Sequence, residues 1–182
     1  FCSAIKIEDP KGYVNDFANK LSPNQVAQIE AKLQSFNDTA SVEIAIYTED
    51  IDILGANETA YSRGLAIFNT WKLGKKDHLN GIMIYVNFKN RKFYINTGKG
   101  SEAFVPDIMA FRIIDNTLKP AFRKEQYFQG LDEATNILMA LSTGEYKVPK
   151  TKKAPKLLKI IFIIIFIIII LSILSKGNNN GG

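Results

Sequence analysis

Cysteine and histidine are almost absent from this sequence, and their scarcity excludes the commonest catalytic and metal sites. Cys2 is the one cysteine and His78 the one histidine among 182 residues. A single thiol rules out an intramolecular disulfide and a cysteine-based metal site. The motifs GxSxG, HExxH and the P-loop are also missing. We therefore expect no catalytic triad, and we expect His78, which lies in a polar loop, to be a solvated surface residue.

Acidic residues are absent after Glu145, so the positive charge of the chain is concentrated at its C-terminal end. Residues 147–182 carry seven lysines and no acid, whereas residues 1–146 carry 16 basic and 18 acidic side chains. A nucleic-acid-binding domain needs basic side chains clustered on its folded surface. The slightly acidic N-terminal part therefore predicts no nucleic-acid partner.

One long hydrophobic run stands near the C-terminus. Residues 157–174 read LLKIIFIIIFIIIILSIL, with Lys159 and Ser172 as the polar interruptions. As a helix these eighteen residues extend about 27 Å, close to the ~30 Å hydrocarbon core of a bilayer. The run predicts a single transmembrane helix, with a basic linker over residues 147–156 before it and a Gly/Asn tail over residues 175–182 after it.

Residues 13–146 are expected to form one globular domain after an extended segment over residues 1–12. Ser22, Pro23 and Gln25 have the arrangement of a helix N-terminus, with a hydroxyl cap, proline at the first position and a capping-box glutamine. The helix is predicted to run to about Asn37. Its inward face is predicted to consist of Val26, Ile29, Leu33 and Phe36.

Three short runs predict β-strands. Residues 42–48 and 92–97 alternate loosely between apolar and polar side chains. Residues 81–87 are almost wholly apolar, which is typical of a central strand covered on both faces. The turn residues 88–91 should join the last two strands in a hairpin.

Apolar side chains at helical spacing predict three further helices. One is expected to be capped by Asn57 and to end at Gly74, with Tyr61, Leu65, Phe68 and Trp71 inward. Another should run from Pro106 and Asp107 through Leu118, with Ile108, Phe111, Ile114 and Leu118 inward, until Pro120 ends or kinks it. The last should bury Tyr127, Leu131, Ala134, Leu138 and Leu141 and be capped by Gly144. This order predicts an α/β fold, a three-layer α/β/α sandwich with a small mixed sheet, plus the transmembrane helix.

Carboxylates and an amide occur where the predicted strands begin and end. They are Asp50, Asp52, Asp77, Asn80, Glu102 and Asp107. Oxygen ligands from several loops suit Ca²⁺ or Mg²⁺, and open α/β sheets bind ligands at strand ends. The same spacing also fits acidic loops that face water, with Asp107 as a helix N-cap. Gly98-Lys99-Gly100 is similar to a fragment of a phosphate-binding loop but is more typical of a turn that needs positive φ.

Several motifs in this order resemble the TPM domain family over residues 13–144. They are Val14-Asn15-Asp16-Phe17-Ala18, Trp71-Lys72-Leu73-Gly74, Asn80-Gly81, Gly98-x-Gly100-x-Glu102 with Pro106-Asp107, Arg112-Ile113-Ile114 and Pro120-Ala121-Phe122. In this pattern Gly81, Gly98 and Gly100 are structural positions. The usual Lys-Asp-Asn-Gly is stretched here to residues 76–81, so both Asp77 and Asn80 are candidates for one ligand position.

The resemblance implies an α/β/α sandwich, calcium or magnesium bound through acidic loop residues, and acid phosphatase activity in some members. Members are commonly exported, with a signal peptide removed and a membrane helix after the domain. The lysines before the hydrophobic run favour a cytoplasmic domain by the positive-inside rule, but an exported N-terminus overrides that bias. We therefore expect a single-pass protein whose domain is extracytoplasmic.

Two functional hypotheses follow. The first is a membrane-anchored, divalent-cation-binding interaction or maintenance module for membrane or envelope protein complexes, with a membrane protein as its partner. The alternative is a metal-dependent acid phosphatase, in which Asp107, Glu102 and Asp77 hold the cation and Arg112 reaches a phosphoryl oxygen. In the alternative interpretation, Arg112 has a structural role and forms an ion pair with a nearby carboxylate.

Overall fold

The structure, a computed structural model, describes residues 6–54, 58–74, 79–146 and 165–169. The chain divides into two units, Phe1–Tyr146 and Lys147–Gly182. In the second unit residues 165–169 are helical with exposed side chains, and the rest of the predicted span 157–174 lies outside the described residues. Within the described ranges, no helix is long and apolar enough to cross a membrane.

Four strands form one mixed sheet in the order β1-β2-β3-β4. They are β1 (Val14–Asp16), β2 (Glu43–Glu49), β3 (Gly81–Asn87) and β4 (Lys92–Thr97). The first three strands are parallel, and β4 returns antiparallel to β3 as the predicted hairpin. All seven residues of β3 are buried, as its apolar sequence predicted. Strand β1 was not predicted, because three residues are too few to show a period.

The free edge of β1 is closed by a side chain from the first helix. The two carboxylate oxygens of Glu30 accept hydrogen bonds from the backbone N–H groups of Tyr13 at 2.9 Å and Val14 at 2.7 Å. Backbone donors at a sheet edge otherwise offer a template to another strand. Glu30 therefore occupies the outer side of β1, where another strand could otherwise pair.

Helices cover both faces of the sheet, which confirms the predicted α/β fold. They are α1 (Pro23–Ala40), α2 (Ala60–Trp71), α3 (Asp107–Ile113), a π-helical turn (Ile114–Leu118), α4 (Lys119–Arg123) and α5 (Tyr127–Ser142). The larger apolar cluster lies between one sheet face and α1, α3 and α5. The smaller cluster lies between the other face and α2.

The first and last helices agree with the predictions from sequence. Ser22 and Gln25 form the capping box of α1, and the inward residues Ile29, Leu33 and Phe36 are buried. In α5, Leu131, Ala134 and Leu138 are buried. Gly144 follows this helix with φ of +75°, a left-handed conformation that favours glycine.

The predicted inward face of α2 was partly wrong, although Phe68 and Trp71 pack against the smaller apolar cluster as predicted. Thr59, not Asn57, is the N-cap, and the buried residues are Arg63, Gly64 and Ile67, whereas Tyr61 is half-exposed. Asn57 itself lies outside the described residues. The apolar pattern did not predict the buried side of α2 at Arg63 and Ile67, because an arginine was assumed to lie on the surface.

The predicted inward face of the helix from Asp107 to Leu118 was right at Ile114 and Leu118 and wrong at Ile108 and Phe111, and the π-helical turn explains why. Ile108 and Phe111 are 56% and 59% exposed, while Met109, Ala110 and Ile113 are buried. The π-helical turn adds one residue relative to α-helical spacing. Residues before the turn are therefore rotated about the helix axis, away from the positions that α-helical spacing counted back from Leu118 predicts.

Pro120 accounts for the π-helical turn, because its ring excludes an α-helical carbonyl four residues earlier and it has no N–H to donate. It neither ends nor breaks the helical segment, which continues as α4 to Arg123. The N-cap of α3 is Pro106, without a side-chain hydrogen bond, and Asp107 is the first helical residue. Asp107 is therefore not the cap that one interpretation of the sequence expected.

A buried ion pair joins α2 to the sheet. Arg63 is 2% exposed and Glu49, at the end of β2, is 4% exposed. The guanidinium donates to both carboxylate oxygens of Glu49, from Nε at 3.2 Å and from Nη2 at 3.0 Å. The hydroxyl of Tyr85 on β3 donates to the same carboxylate at 2.5 Å. Burial, and then the bond to Glu49, raises the pKa of Tyr85 above its usual range.

The N-terminal segment is held by the same helix. Arg63 Nη2 donates to the carbonyl of Lys6 at 2.9 Å, and Trp71 Nε1 donates to the carbonyl of Glu8 at 2.9 Å. Between these two contacts Ile7 packs against the smaller apolar cluster. Residues 6–12 form no helix or strand, so these contacts determine where the segment lies.

We predict that Arg63→Met lowers the free energy of unfolding by about 3–5 kcal/mol, because it leaves the Glu49 carboxylate buried without its cation. Urea denaturation followed by circular dichroism measures the change. Arg112→Met, at an exposed arginine of α3, is the matched control and should change stability by no more than about 0.5 kcal/mol. Equal stability of the two variants would contradict the central role of the buried pair.

Candidate functional site

The parallel pairing of β2 with β3 divides the predicted ligands between two ends of the sheet. Asp50 and Asp52 follow β2 at the carboxyl edge, where the parallel strands end. Asn80 precedes β3 at the amino edge, where those strands begin. A seven-residue strand separates its two ends by roughly 20 Å. The predicted residues therefore do not all contact one cation.

The amino edge brings Glu102 into the neighbourhood of Asn80. The N–H of Gly98 donates to the carbonyl of Gly81 at 2.9 Å, and the N–H of Gly100 donates to the carbonyl of Leu79 at 3.2 Å. These bonds fix the segment that follows β4 against the segment that enters β3. Glu102 lies two residues beyond Gly100 and is exposed.

Asp107 begins α3 after the same loop and is also exposed. Asp107 lies close enough to β4 to influence Tyr94. Burial, and then the negative charge of Asp107, raise the pKa of the Tyr94 hydroxyl. Two carboxylates therefore face solvent in this region, Glu102 in the loop after β4 and Asp107 at the start of α3.

Gly98 and Gly81 are required by close contacts. A Cβ on Gly98 would lie 2.0 Å from the carbonyl oxygen of Leu79, and one on Gly81 would lie 2.6 Å from that of Leu73. The chain turns at residues 99–100 as expected, but neither Gly98 nor Gly100 is among the glycines with positive φ. The glycines allow three backbone segments to meet at the amino edge.

Asn80 has a structural role at this edge. It is 8% exposed, and its Nδ2 donates to the carbonyl of Ser41 after α1. The neighbouring candidates Asp77 and His78 lie outside the described residues, as does Cys2. In the described ranges, no three His, Cys, Asp or Glu side chains lie close enough together to hold a metal ion.

The two acids at the carboxyl edge stabilise their own loop. Asp50 lies 3.4 Å from Lys20 Nζ. Asp52 accepts a hydrogen bond from Asn90 Nδ2 at 3.0 Å, and Asn90 Oδ1 accepts one from the N–H of Ile53 at 2.9 Å. These contacts connect the loop after β2 to the turn of the β3–β4 hairpin.

Arg112 and Asp107, the two catalytic candidates, project from different sides of α3. They are five residues apart, which corresponds to about 140° around a helix axis. Arg112 Nη1 contacts Met109 Sδ at 3.9 Å. The expected ion pair of Arg112 is not formed with any residue that the structure describes.

Sequence reasoning missed the buried ion pair of Glu49 and Arg63 and the tyrosine bonded to it, Tyr85. A signal was present, because Arg63 precedes the apolar Ile67 by four residues and so shares its helix face. An arginine on an apolar face indicates a buried partner. The identity of that partner depends on which strand end lies opposite, which spacing along the chain does not reveal.

Comparison with known proteins agrees with this architecture. The TPM domain model matches residues 14–141, and no curated protein matches the chain. The N-terminal domain of a P. gingivalis protein, solved in solution, is 25% identical over 75% of this chain and 88% of its own, with a TM-score of 0.65.

Two further solution structures share the fold at lower identity. The BA42 protein from Bizionia argentinensis is 19% identical, with a TM-score of 0.55 over 74% of this chain and 90% of its own. The N-terminal domain of the cg2496 protein from Corynebacterium glutamicum is 11% identical, with a TM-score of 0.52 over 85% of this chain and 95% of its own. Because the TPM domain model matches most of the chain, this protein belongs to the TPM domain family.

Proposed function

We propose that this protein is a membrane-tethered binding domain that holds a divalent cation at the amino edge of its sheet and serves membrane or envelope protein complexes as an interaction or maintenance module. One observation carries the proposal. The antiparallel return of β4 brings the loop that carries Glu102 to the end of the sheet where residues 79–80 enter β3, and Asp107 begins α3 after that loop.

Calcium or magnesium fits the chemistry of this edge, since hard cations prefer carboxylate and carbonyl oxygens. The Asn80 amide is already bonded to Ser41, so we propose Asp77 as the third acidic ligand beside Glu102 and Asp107. Asp50 and Asp52 are excluded from this site by their place at the carboxyl edge.

The proposed anchor is the hydrophobic run 157–174, joined to the domain by the basic linker 147–156. We propose that the domain faces the extracytoplasmic side, as the family resemblance implies, and that its partner is a membrane protein. Sequence hydrophobicity supports the anchor, because eighteen residues with one charge have the length of a bilayer span.

Titration calorimetry on residues 1–146 tests the cation. We predict saturable heat with Ca²⁺ or Mg²⁺ at millimolar concentration or below, and binding at least about tenfold weaker in Asp107→Asn, because a carboxylate ligand is lost. Asp50→Asn is the matched control at the opposite edge and should bind as the unmodified domain does. No heat with either ion would refute the cation site, and a loss in Asp50→Asn alone would place it at the carboxyl edge.

A metal-dependent phosphatase is the second candidate, with Arg112 as its phosphate-binding residue. Because Arg112 and Asp107 lie on different sides of α3, this role requires the long arginine side chain to reach around the helix. This exposed guanidinium contacts the Met109 sulfur and no carboxylate of the described residues, so it is available to a phosphoryl oxygen. A cation bound by Asp107, Glu102 and Asp77 would polarise the phosphate ester and activate a water for attack on phosphorus. The ester P–O bond then breaks and the alcohol leaves.

A generic phosphate ester assay decides between the two candidates. For the phosphatase we predict turnover that EDTA abolishes and excess Mg²⁺ or Ca²⁺ restores, and that Asp107→Asn reduces at least about tenfold. Activity that persists in EDTA, or that is unchanged in Asp107→Asn, would exclude this mechanism. Cation binding without turnover would leave the binding domain as the function.

Protease accessibility tests the membrane topology. We predict that protease added outside spheroplasts digests the domain and leaves a short membrane-embedded fragment, because an exported domain is exposed there. A known exported protein provides the positive control and a cytoplasmic protein the negative one. Full protection of the domain while the exported control is digested would place it in the cytoplasm.

A further inference from the structure

A cleft of about 590 Å³ lies at the carboxyl edge, opposite the proposed cation site. It opens between the end of β3, the hairpin turn, α4 and the start of α5. The volume is in the range of ligand-binding clefts. In open α/β sheets, ligands bind at this edge of the parallel strands.

Four cationic side chains line the cleft, and Glu125 is its one acidic lining residue. The cations are Lys20, Arg91, Lys119 and Arg123. Lys20 lies 3.4 Å from Asp50, and Lys119 lies 3.0 Å from Asp115. Neither Arg91 nor Arg123 has a carboxylate within 4.0 Å among the residues described. Two exposed guanidinium groups therefore remain available to an anion.

An aromatic floor lies beneath these charges. It consists of Phe88, Phe93, Phe122 and Tyr127, whose neighbouring ring centroids are 5.0–5.4 Å apart. All four rings are partly exposed. Lys20 Nζ lies 5.4 Å from the Phe88 centroid, so a cation already rests on this surface. A ligand with both an anionic and an apolar group fits such a lining.

The backbone at the rim is held in uncommon conformations. Arg91 has φ of +52° and Glu125 has φ of +58°, a left-handed region that residues with a Cβ seldom adopt. The N–H of Arg91 donates to the carbonyl of Phe88 at 3.2 Å, and the N–H of Glu125 donates to that of Phe122 at 3.1 Å. Conformations of this kind concentrate at functional sites. Here they fix the turns that bear the rim charges.

We propose that this cleft binds an acidic segment of a partner protein, with Arg91 and Arg123 holding its carboxylates and the aromatic floor accepting an adjacent apolar side chain. Arginine binds planar carboxylates through paired N–H donors. The inference adds a second binding surface to the proposed function and is independent of the cation site.

Charge complementarity favours a protein segment as the occupant. Arg91 and Arg123 are exposed cations that can hold its carboxylates, and the aromatic floor can accept the apolar side chain beside them.

Fluorescence anisotropy on the full 182-residue chain in detergent micelles tests the proposal. The probe is a dye-labelled peptide of alternating Glu and Phe, and the matched peptides replace every Glu by Gln or every Phe by Ala. We expect saturable binding of the first peptide and binding at least about tenfold weaker for each of the others. Raising the salt from about 50 to about 200 mM should weaken the first interaction, because exposed charges are screened.

Variants on the protein locate the binding surface. Arg123→Gln, and the double change with Arg91→Asn, should each weaken the peptide at least about tenfold. Asparagine is chosen at position 91 because it tolerates left-handed φ. Lys99→Gln removes an exposed cation beyond the opposite end of β4 and should bind normally. Melting curves establish whether each variant is folded. If the double variant is unfolded, the single variant Arg123→Gln alone tests the role of the charge.

Two results would overturn the proposal. One is equal binding of the Glu and Gln peptides, or unchanged binding in a folded Arg123→Gln variant, since either removes the role of the charge. The other is an absence of peptide binding combined with capture of phosphatidylserine vesicles that Arg123→Gln abolishes. That outcome would assign the cleft to a lipid headgroup.

Discussion

The buried pair of Arg63 and Glu49 is the interaction on which the remaining features depend. It fixes the face that α2 presents to the sheet, it binds the carbonyl of Lys6, and it provides the acceptor for Tyr85. Two charges out of water are tolerated because each is hydrogen-bonded. The carbonyl of Glu49 also accepts the N–H of Phe88 at 2.8 Å, so the pair lies one residue from the floor of the cleft.

The two ends of the sheet have different chemistry, and strand direction produces that difference. Parallel strands bring the segments after β1 and β3, which carry Lys20 and Phe88, to the cationic cleft, and the antiparallel β4 returns the chain to the acidic loop at the other end. The two proposed ligands, a cation and an acidic protein segment, would therefore not compete for one surface. Separation by the length of a strand also weakens repulsion or attraction between them in physiological salt.

Local patterns predicted the parts of this fold that depend on neighbouring residues. The capping box at Ser22 and the apolar run of β3 are examples. The faces of α2 and α3 were only partly right, because the first depends on a charge partner in a strand and the second on a π-helical turn at Pro120. The candidate ligands were identified as residue types, but their division between two edges depends on strand direction, which their spacing does not encode.

The carboxylate of Glu30 has a consequence for self-association. Because it occupies the N–H groups of Tyr13 and Val14 beside β1, the more open border of the sheet, among the strands that the structure describes, is β4. A sheet that can extend at one border can pair with one other sheet. In two copies joined along β4, both outer borders would be β1 strands whose N–H groups are bonded to Glu30. Any association through the sheet would then stop at a dimer and would not propagate into a fibre.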